Sequence, residues 1–101
     1  MGLKHDQGKE RVDLIEPDFM LDLGRVLAFG CIKYEENSWR TVENAEDRYY
    51  AAALRHLLAY RKGETMDSET KVSHLSNASA CLMFLHYLEA HRDNNTRKNV
   101  S

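Results

Sequence analysis

The stretch "HLLAYRKGETMDSETKVSHLSN", residues 56–77, places Glu64, Asp67 and Glu69 within six positions and brackets them with His56 and His74. Upstream, Tyr49, Ala53, His56, Leu57 and Tyr60 mark one face as far as Gly63, a glycine suited to the position just past a helix end. The spacing predicts a helix over residues 45–62, with Asn44 and Asp47 as a capping pair. Downstream, Asp67 or Ser68 can cap a further helix that carries Val72, Leu75, Ala78, Leu82, Leu85 and Tyr87 or Leu88 as far as His91. The quoted residues therefore read as the polar junction of two helices.

Working outward, Pro17 suits a first helical turn, and Phe19, Leu23, Val26, Leu27 and Gly30 recur at spacings of three and four, which predicts a helix over residues 17–34. The segment "EENSWRTVEN" (35–44) has no periodicity and is a connection, whose Trp39 needs an apolar surface to lie against. The opening "MGLKHDQGKERVDLI" has neither a helical stripe nor a strand alternation and reads as an arm, while residues 93–101 are a polar tail without an apolar anchor and are expected to be disordered. With no strand pattern anywhere, the fold class is all-α: a small bundle of three main helices plus an N-terminal arm, over residues 1–92. A chain of 101 residues buries a modest share of its surface, so the bundle is expected to be completed by oligomerisation, as a homodimer or tetramer.

The charges, 14 basic against 16 acidic for a net of −2, gather into no long block of either sign, so no nucleic-acid or membrane surface is expected. Cys31 and Cys81 both sit in apolar surroundings, and no apolar run approaches a signal-peptide core or a membrane span. Cytoplasmic placement with reduced packing cysteines follows as the expectation. The sequence contains no phosphate-cradling glycine loop, nucleophile elbow or zinc motif.

Two readings of the junction stay open. Clustered oxygen donors at Glu64, Asp67 and Glu69 suit a hard cation that is shared with substrate phosphates. Equally, Asp, Ser and Glu are what helix starts prefer. His74 and Asn77 share one helix face near the junction, and His56 lies nearly two turns before the end of its helix, so the two histidines can meet across the helix pair. They are then hydrogen-bond partners of substrate, water or carboxylates, or else satisfied core histidines. Lys9 and Arg11 in the arm, and Lys33, Arg40, Arg48 and Arg55 beyond it, could neutralise a polyphosphate, although most surface cations are merely solvated. Arg55, among apolar neighbours, calls for a partner. Tyr34 and Trp39 could stack on a base, worth about 1–3 kcal/mol, or close the end of a core.

The motifs "KHDQGKERVDLIEP", "VLAFGCIKYEENSWR", "RYYAAALRHLLAYRKGETMDSET" and "HLSNASACLMFL", in that order, resemble the phage and bacterial dATP/dGTP diphosphohydrolase family, a MazG-like branch of the all-α nucleoside triphosphate pyrophosphohydrolases. The resemblance implies a homo-oligomeric enzyme that uses Mg²⁺ or Mn²⁺ to cleave a purine deoxynucleoside triphosphate to the monophosphate and pyrophosphate. In some phages the product dGMP feeds the making of 2-aminoadenine DNA. Recurrent positions fall on Asp6, Gly8, Lys9, Arg11, Asp13, Lys33, Tyr34, Trp39, Arg40, Arg48, Arg55, His56, Glu64, Asp67, Glu69 and His74. The implied roles are metal ligation by Glu64, Asp67 and Glu69, catalysis by His56, Glu64 and His74, and substrate binding by the arm and helix cations with Tyr34, Trp39 and Asn77. Two departures stand out, Ser38 in place of asparagine and Asn77 in place of a second histidine, and the paired carboxylates of MazG proteins proper are not reproduced. The alternative is a non-catalytic nucleotide-binding or oligomeric interaction module. A DNA-binding role has only the basic tail in its favour.

Overall fold

A computed structural model describes residues 8–92 of the chain. They form three helices, α1 (Pro17–Lys33), α2 (Ala45–Arg61) and α3 (His74–Ala90), with 3-10 turns at Val12–Leu14 and Ser38–Thr41 and no strand among the described residues. The all-α bundle expected from the sequence is what forms. The expected polar tail, 93–101, lies outside the described residues, as does the start of the arm.

Helix α1 begins where expected, with Pro17 at N1 and the Glu16 carboxylate accepting from the Phe19 N–H at 2.7 Å. Helix α2 departs from expectation at its start. Asn44 is its N-cap but has a left-handed backbone (φ 55°) and makes no side-chain cap bond, so the Asn44–Asp47 capping pair does not form. Side-chain capping needs extended backbone at the cap, whereas asparagine tolerates the left-handed region. The end of α2 is as expected. Gly63 has φ +100°, its N–H donates to Tyr60 O, and the Glu64 N–H reaches Ala59 O, which closes the last turn in a Schellman motif.

Helix α3 starts several residues later than the sequence suggests. Asp67 does not cap it; its Oδ2 accepts from the N–H groups of Glu69 (2.9 Å) and Thr70 (2.7 Å) and closes a tight turn. That local bond offers the backbone an alternative to helix. A further bridge pairs Met66 with Ser73, and Lys71 takes a left-handed φ of 63°. Ser73 then caps α3, its Oγ accepting from Ser76 N at 3.1 Å. Glu69 consequently lies in a loop and not on a helix.

Helix α3 is apolar around most of its circumference and lies between the other two, with α1 touching α3 but not α2. Helices α2 and α3 run antiparallel: Glu46 at the start of α2 pairs with Arg92 just past the end of α3, and His56 meets His74 at the other end. Ala53 is the buried residue of α2, and α3 buries Ser76, Ala78 and Ala80 along with His74, Asn77 and Cys81. Trp39 finds its apolar surface: it stacks on Phe84 (centroids 4.6 Å) and meets the edge of Tyr87 (5.0 Å), while Tyr49 Oη donates to Trp39 O. Elsewhere apolar groups stay uncovered, with Ile32 86%, Leu58 62%, Leu21 57% and Leu82 53% exposed and no buried residue in α1. No helix among the described residues is long and apolar enough to cross a membrane.

A Cβ added at Gly63 would meet nothing within 4 Å, so Gly63→Ala isolates the cost of the left-handed backbone. The expected loss is about 1–2 kcal/mol, read as a lower urea midpoint at unchanged slope. An unchanged midpoint would mean that the α2 end is not held in this conformation.

Candidate functional site

The polar junction folds into a cluster in which ligand atoms of His56, Asp67 and His74 all lie within 4.8 Å of one another. His56 Nδ1 and His74 Nδ1 are 3.0 Å apart, and His56 Nδ1 is 3.9 Å from Asp67 Oδ1. The expected meeting of the two histidines is therefore realised, because antiparallel α2 and α3 present them at facing ends. At 3.0 Å one Nδ1 must carry a proton and the other a lone pair, so the pair cannot be doubly charged. On the far side of His74, Nε2 lies 3.6 Å from Glu64 Oε1 and is buried without a hydrogen-bond partner.

Burial sets the charge of His56 and hydrogen bonding that of Asp67. Desolvation pushes the His56 pKa down, opposed by Asp67 and assisted by His74 and Arg55, so the imidazole is neutral at neutral pH. For Asp67, burial pushes the carboxyl up, but the Thr70 and Glu69 N–H groups, the Thr70 hydroxyl and His56 together hold it below the usual value. The result is a neutral His56, hydrogen-bonded to His74, beside a carboxylate.

Asn77 anchors the loop that carries Asp67. Its buried amide donates to Thr70 Oγ1 (2.9 Å), Val72 O (3.2 Å) and Ser73 O (2.9 Å). The structure thus places this residue, expected at the substrate, under the loop and one step from Asp67 through Thr70. Glu69 points elsewhere and pairs with Lys33 Nζ at 2.7 Å, well exposed on both sides, which raises the lysine pKa.

Beside the cluster, a cavity of about 610 Å³ opens where α1, α2 and α3 face one another, with Phe29, Gly30, Ala52 and Met83 on its apolar wall. Of the residues expected to bind substrate, Lys33, Tyr34, Trp39, Arg40 and Arg48 all line it. Glu69 and Thr70 complete the lining, so the loop that holds Asp67 is also a wall of the cavity. Tyr34 is 60% exposed, with Lys33 Nζ 5.4 Å from its ring centroid, whereas Trp39 is taken up by Phe84 and Tyr87 and by Arg40, which lies 5.1 Å from its ring. Arg55, expected to need a partner, is exposed and makes no ion pair among the described residues; it lines a smaller groove that also contains Arg48. Lys9 and Arg11 lie in the arm, whose 3-10 turn stands apart from all three helices, and Arg11 is held by Asp13 at 2.9 Å. The two groups that sequence reasoning missed are Thr70 and the Lys33–Glu69 pair, which only the loop path brings into place.

Fold and site together define a small all-α domain in which a histidine–carboxylate cluster adjoins a cation-rimmed cavity. Over residues 1–98 the chain matches the family described as dATP/dGTP diphosphohydrolase, N-terminal, and it belongs to that family. It is 38% identical over 87 residues to a dATP/dGTP diphosphohydrolase of Salmonella phage PMBT28, an alignment that covers 86% of this chain and 29% of that protein. The chain thus spans about a third of the length of this relative. No solved structure matches it.

The depressed His56 pKa fixes a pH dependence. Below about pH 6.5 an unfolded His56 binds a proton that the folded one does not, so stability present at neutral pH is lost as pH falls. The thermal midpoint of the metal-free chain should drop between about pH 7.5 and about 5.5, and drop less in His56→Gln. A midpoint that rises on acidification would show that Asp67 outweighs burial.

Proposed function

We propose that this chain is the nucleotide-processing domain of a purine deoxynucleoside triphosphate pyrophosphohydrolase, which breaks the bond between the α and β phosphates of dATP or dGTP to give the monophosphate and pyrophosphate. The observation that carries the reading is the loop 62–73, which joins a nucleotide-sized, cation-rimmed cavity to the histidine–carboxylate cluster. Family membership and the activity named for the phage relative support the substrate class.

In this reading the base enters the apolar cavity against exposed Tyr34, with Trp39 supporting the wall from within the aromatic cluster. Lys33, Arg40 and Arg48 face the phosphates from the rim, and Arg55 in the adjoining groove extends the positive field. Lys9 and Arg11 reach the nucleotide only if the arm moves in from its present place. The divalent cation that the resemblance implies as Mg²⁺ or Mn²⁺ would be held by Asp67, His56 and His74, a set with two imidazoles that suits Mn²⁺ better than Mg²⁺. When bound, it would polarise the phosphates and lower the pKa of water. Glu64, 62% exposed and 3.6 Å from His74 Nε2 on the solvent side, would act on the site through that histidine. Where partner enzymes accompany it, dGMP made this way would feed a modified nucleotide pool. A soluble setting, the cytoplasm of a phage-infected or bacterial cell, suits such a substrate.

The uncovered apolar residues support a homo-oligomer. Ile32 at 86% and Leu82 at 53% exposure are the surfaces that a second copy would bury. Sedimentation velocity should give a dimer or tetramer; a monomer at all concentrations would remove this part of the reading.

One fact favours a second reading, a nucleotide-binding module without turnover: the match is to an N-terminal domain and covers 29% of the phage relative. To decide, the chain is incubated with each deoxy- and ribonucleoside triphosphate and a divalent ion, with and without EDTA, and the products are separated by chromatography. Chelator-sensitive dAMP or dGMP with pyrophosphate is expected, and Asp67→Asn should lower the rate roughly 100-fold or more at unchanged helix content. Binding of nucleotide without any product would establish the module instead.

A further inference from the structure

We propose that His56, His74 and Asp67 form a nitrogen-rich site for a first-row transition ion such as Mn²⁺, Fe²⁺, Co²⁺ or Zn²⁺, preferred over Mg²⁺, with Glu64 outside the coordination shell as the carboxylate that orients His74. The inference rests on the nucleotide-hydrolase reading for the purpose of the ion, and on geometry and donor chemistry for its class.

The first argument is spacing. Neighbouring donors on an ion with bonds of about 2.1 Å lie about 3.0–3.4 Å apart, depending on whether the shell is octahedral or tetrahedral. The two Nδ1 atoms are already 3.0 Å apart, and Asp67 Oδ1 stands 3.9 Å from one of them. Oδ1 is also the free oxygen of Asp67, since Oδ2 is committed to Glu69 N and Thr70 N. The carboxylate is thus fixed by its loop with one oxygen turned toward the imidazoles.

The second argument is the donor set with its burial. Imidazole suits Mn²⁺ through Zn²⁺, whereas Mg²⁺ takes oxygen donors and keeps several waters. The side chains of His74, Asp67 and His56 are only 8%, 18% and 22% exposed, which leaves little room for a hydrated ion. The oxygen-only set expected from the sequence is not assembled, because Glu69 is bound to Lys33 and stands on the cavity side of the loop.

The third argument is the unpartnered nitrogen. A His74 that offers its Nδ1 lone pair must carry its proton on Nε2, and that atom is buried with no hydrogen-bond partner, 3.6 Å from Glu64 Oε1. A small rotation of Glu64 gives the carboxylate–histidine–metal arrangement that fixes a ligating tautomer. His56, which donates through Nδ1 when no ion is present, moves its proton to Nε2 to ligate, with no net proton release.

The test is run without nucleotide, so that it can fail separately from the hydrolase reading. The chain, stripped by chelator, is titrated with Co²⁺ and followed by its visible absorption, with Zn²⁺ and Mg²⁺ as competitors. One ion per chain is expected, displaced by Zn²⁺ and not by a large excess of Mg²⁺. His56→Asn and His74→Asn should each weaken Co²⁺ about 100-fold or more, Glu64→Gln about tenfold, and Glu69→Gln by less than about twofold. X-ray absorption on the unaltered chain is independent of how the variants fold and should show outer-shell scattering from two imidazoles. An all-oxygen shell, no bound ion, or affinity that depends on Glu69 and not on the histidines would overturn the proposal. An imidazole-bound ion without turnover of any nucleotide would leave it standing and remove the hydrolase reading. Turnover with Mg²⁺ and no imidazole-bound ion would do the reverse.

Discussion

The hydrogen bonds that Asn77 donates from inside α3 back to Thr70, Val72 and Ser73 hold the rest of the site in place. They clamp the loop after α2 against the start of α3 and leave Thr70 oriented to donate its N–H to Asp67. Asp67 in turn closes the tight turn that delays the start of α3 until His74. Without that delay His74 would lie further along a continuous helix and the loop could not return Glu64 and Asp67 to the same end of the bundle. Buried amide donors are costly to leave unsatisfied, so the network behaves as one unit, and the position of each carboxylate follows from it.

The packing of the helices is uneven, and the unevenness matters for function. Helices α2 and α3 make the closest contact in the bundle, and His56 and His74 meet at one end of it. Helix α1 meets α3 but not α2, and the cavity opens on that side, lined by all three helices. The tight pair holds the two imidazoles against each other. The loose pair supplies a space with apolar walls and a cationic rim. The aromatic group of Trp39, Tyr49, Phe84 and Tyr87 closes one end of the gap and keeps it from collapsing.

Much of this organisation was legible in the sequence, residue by residue. Pro17 marked a helix start because its missing N–H costs nothing in the first turn, and Gly63 a helix end because few other residues tolerate its left-handed backbone. The face of Leu23, Val26, Leu27 and Gly30 is half-buried, as its spacing implied. The meeting of His56 and His74 followed from two consecutive helices that turn back on each other. The start of α3 was misread because an aspartate near a helix start can cap the helix or close a turn of its own, and the local pattern is the same. Asn44 was misread for a related reason, since its left-handed backbone leaves no trace in composition.

What the sequence by itself determined is the all-α class, the three helical segments, the polar junction and, through the order of its motifs, the family. These depend on periodicity, on backbone preference and on residue identity, all of which are local. Only the tertiary structure decided which polar groups share a site: Glu69 went to Lys33, Trp39 to the aromatic cluster and Asn77 to the loop, while Asp67 joined the two histidines. For Glu69, Asn77 and Asp67 that partition rests on the path of twelve residues between α2 and α3 (62–73), which is fixed by its own turn bonds together with the bonds from Asn77 on α3 and the pair with Lys33 on α1.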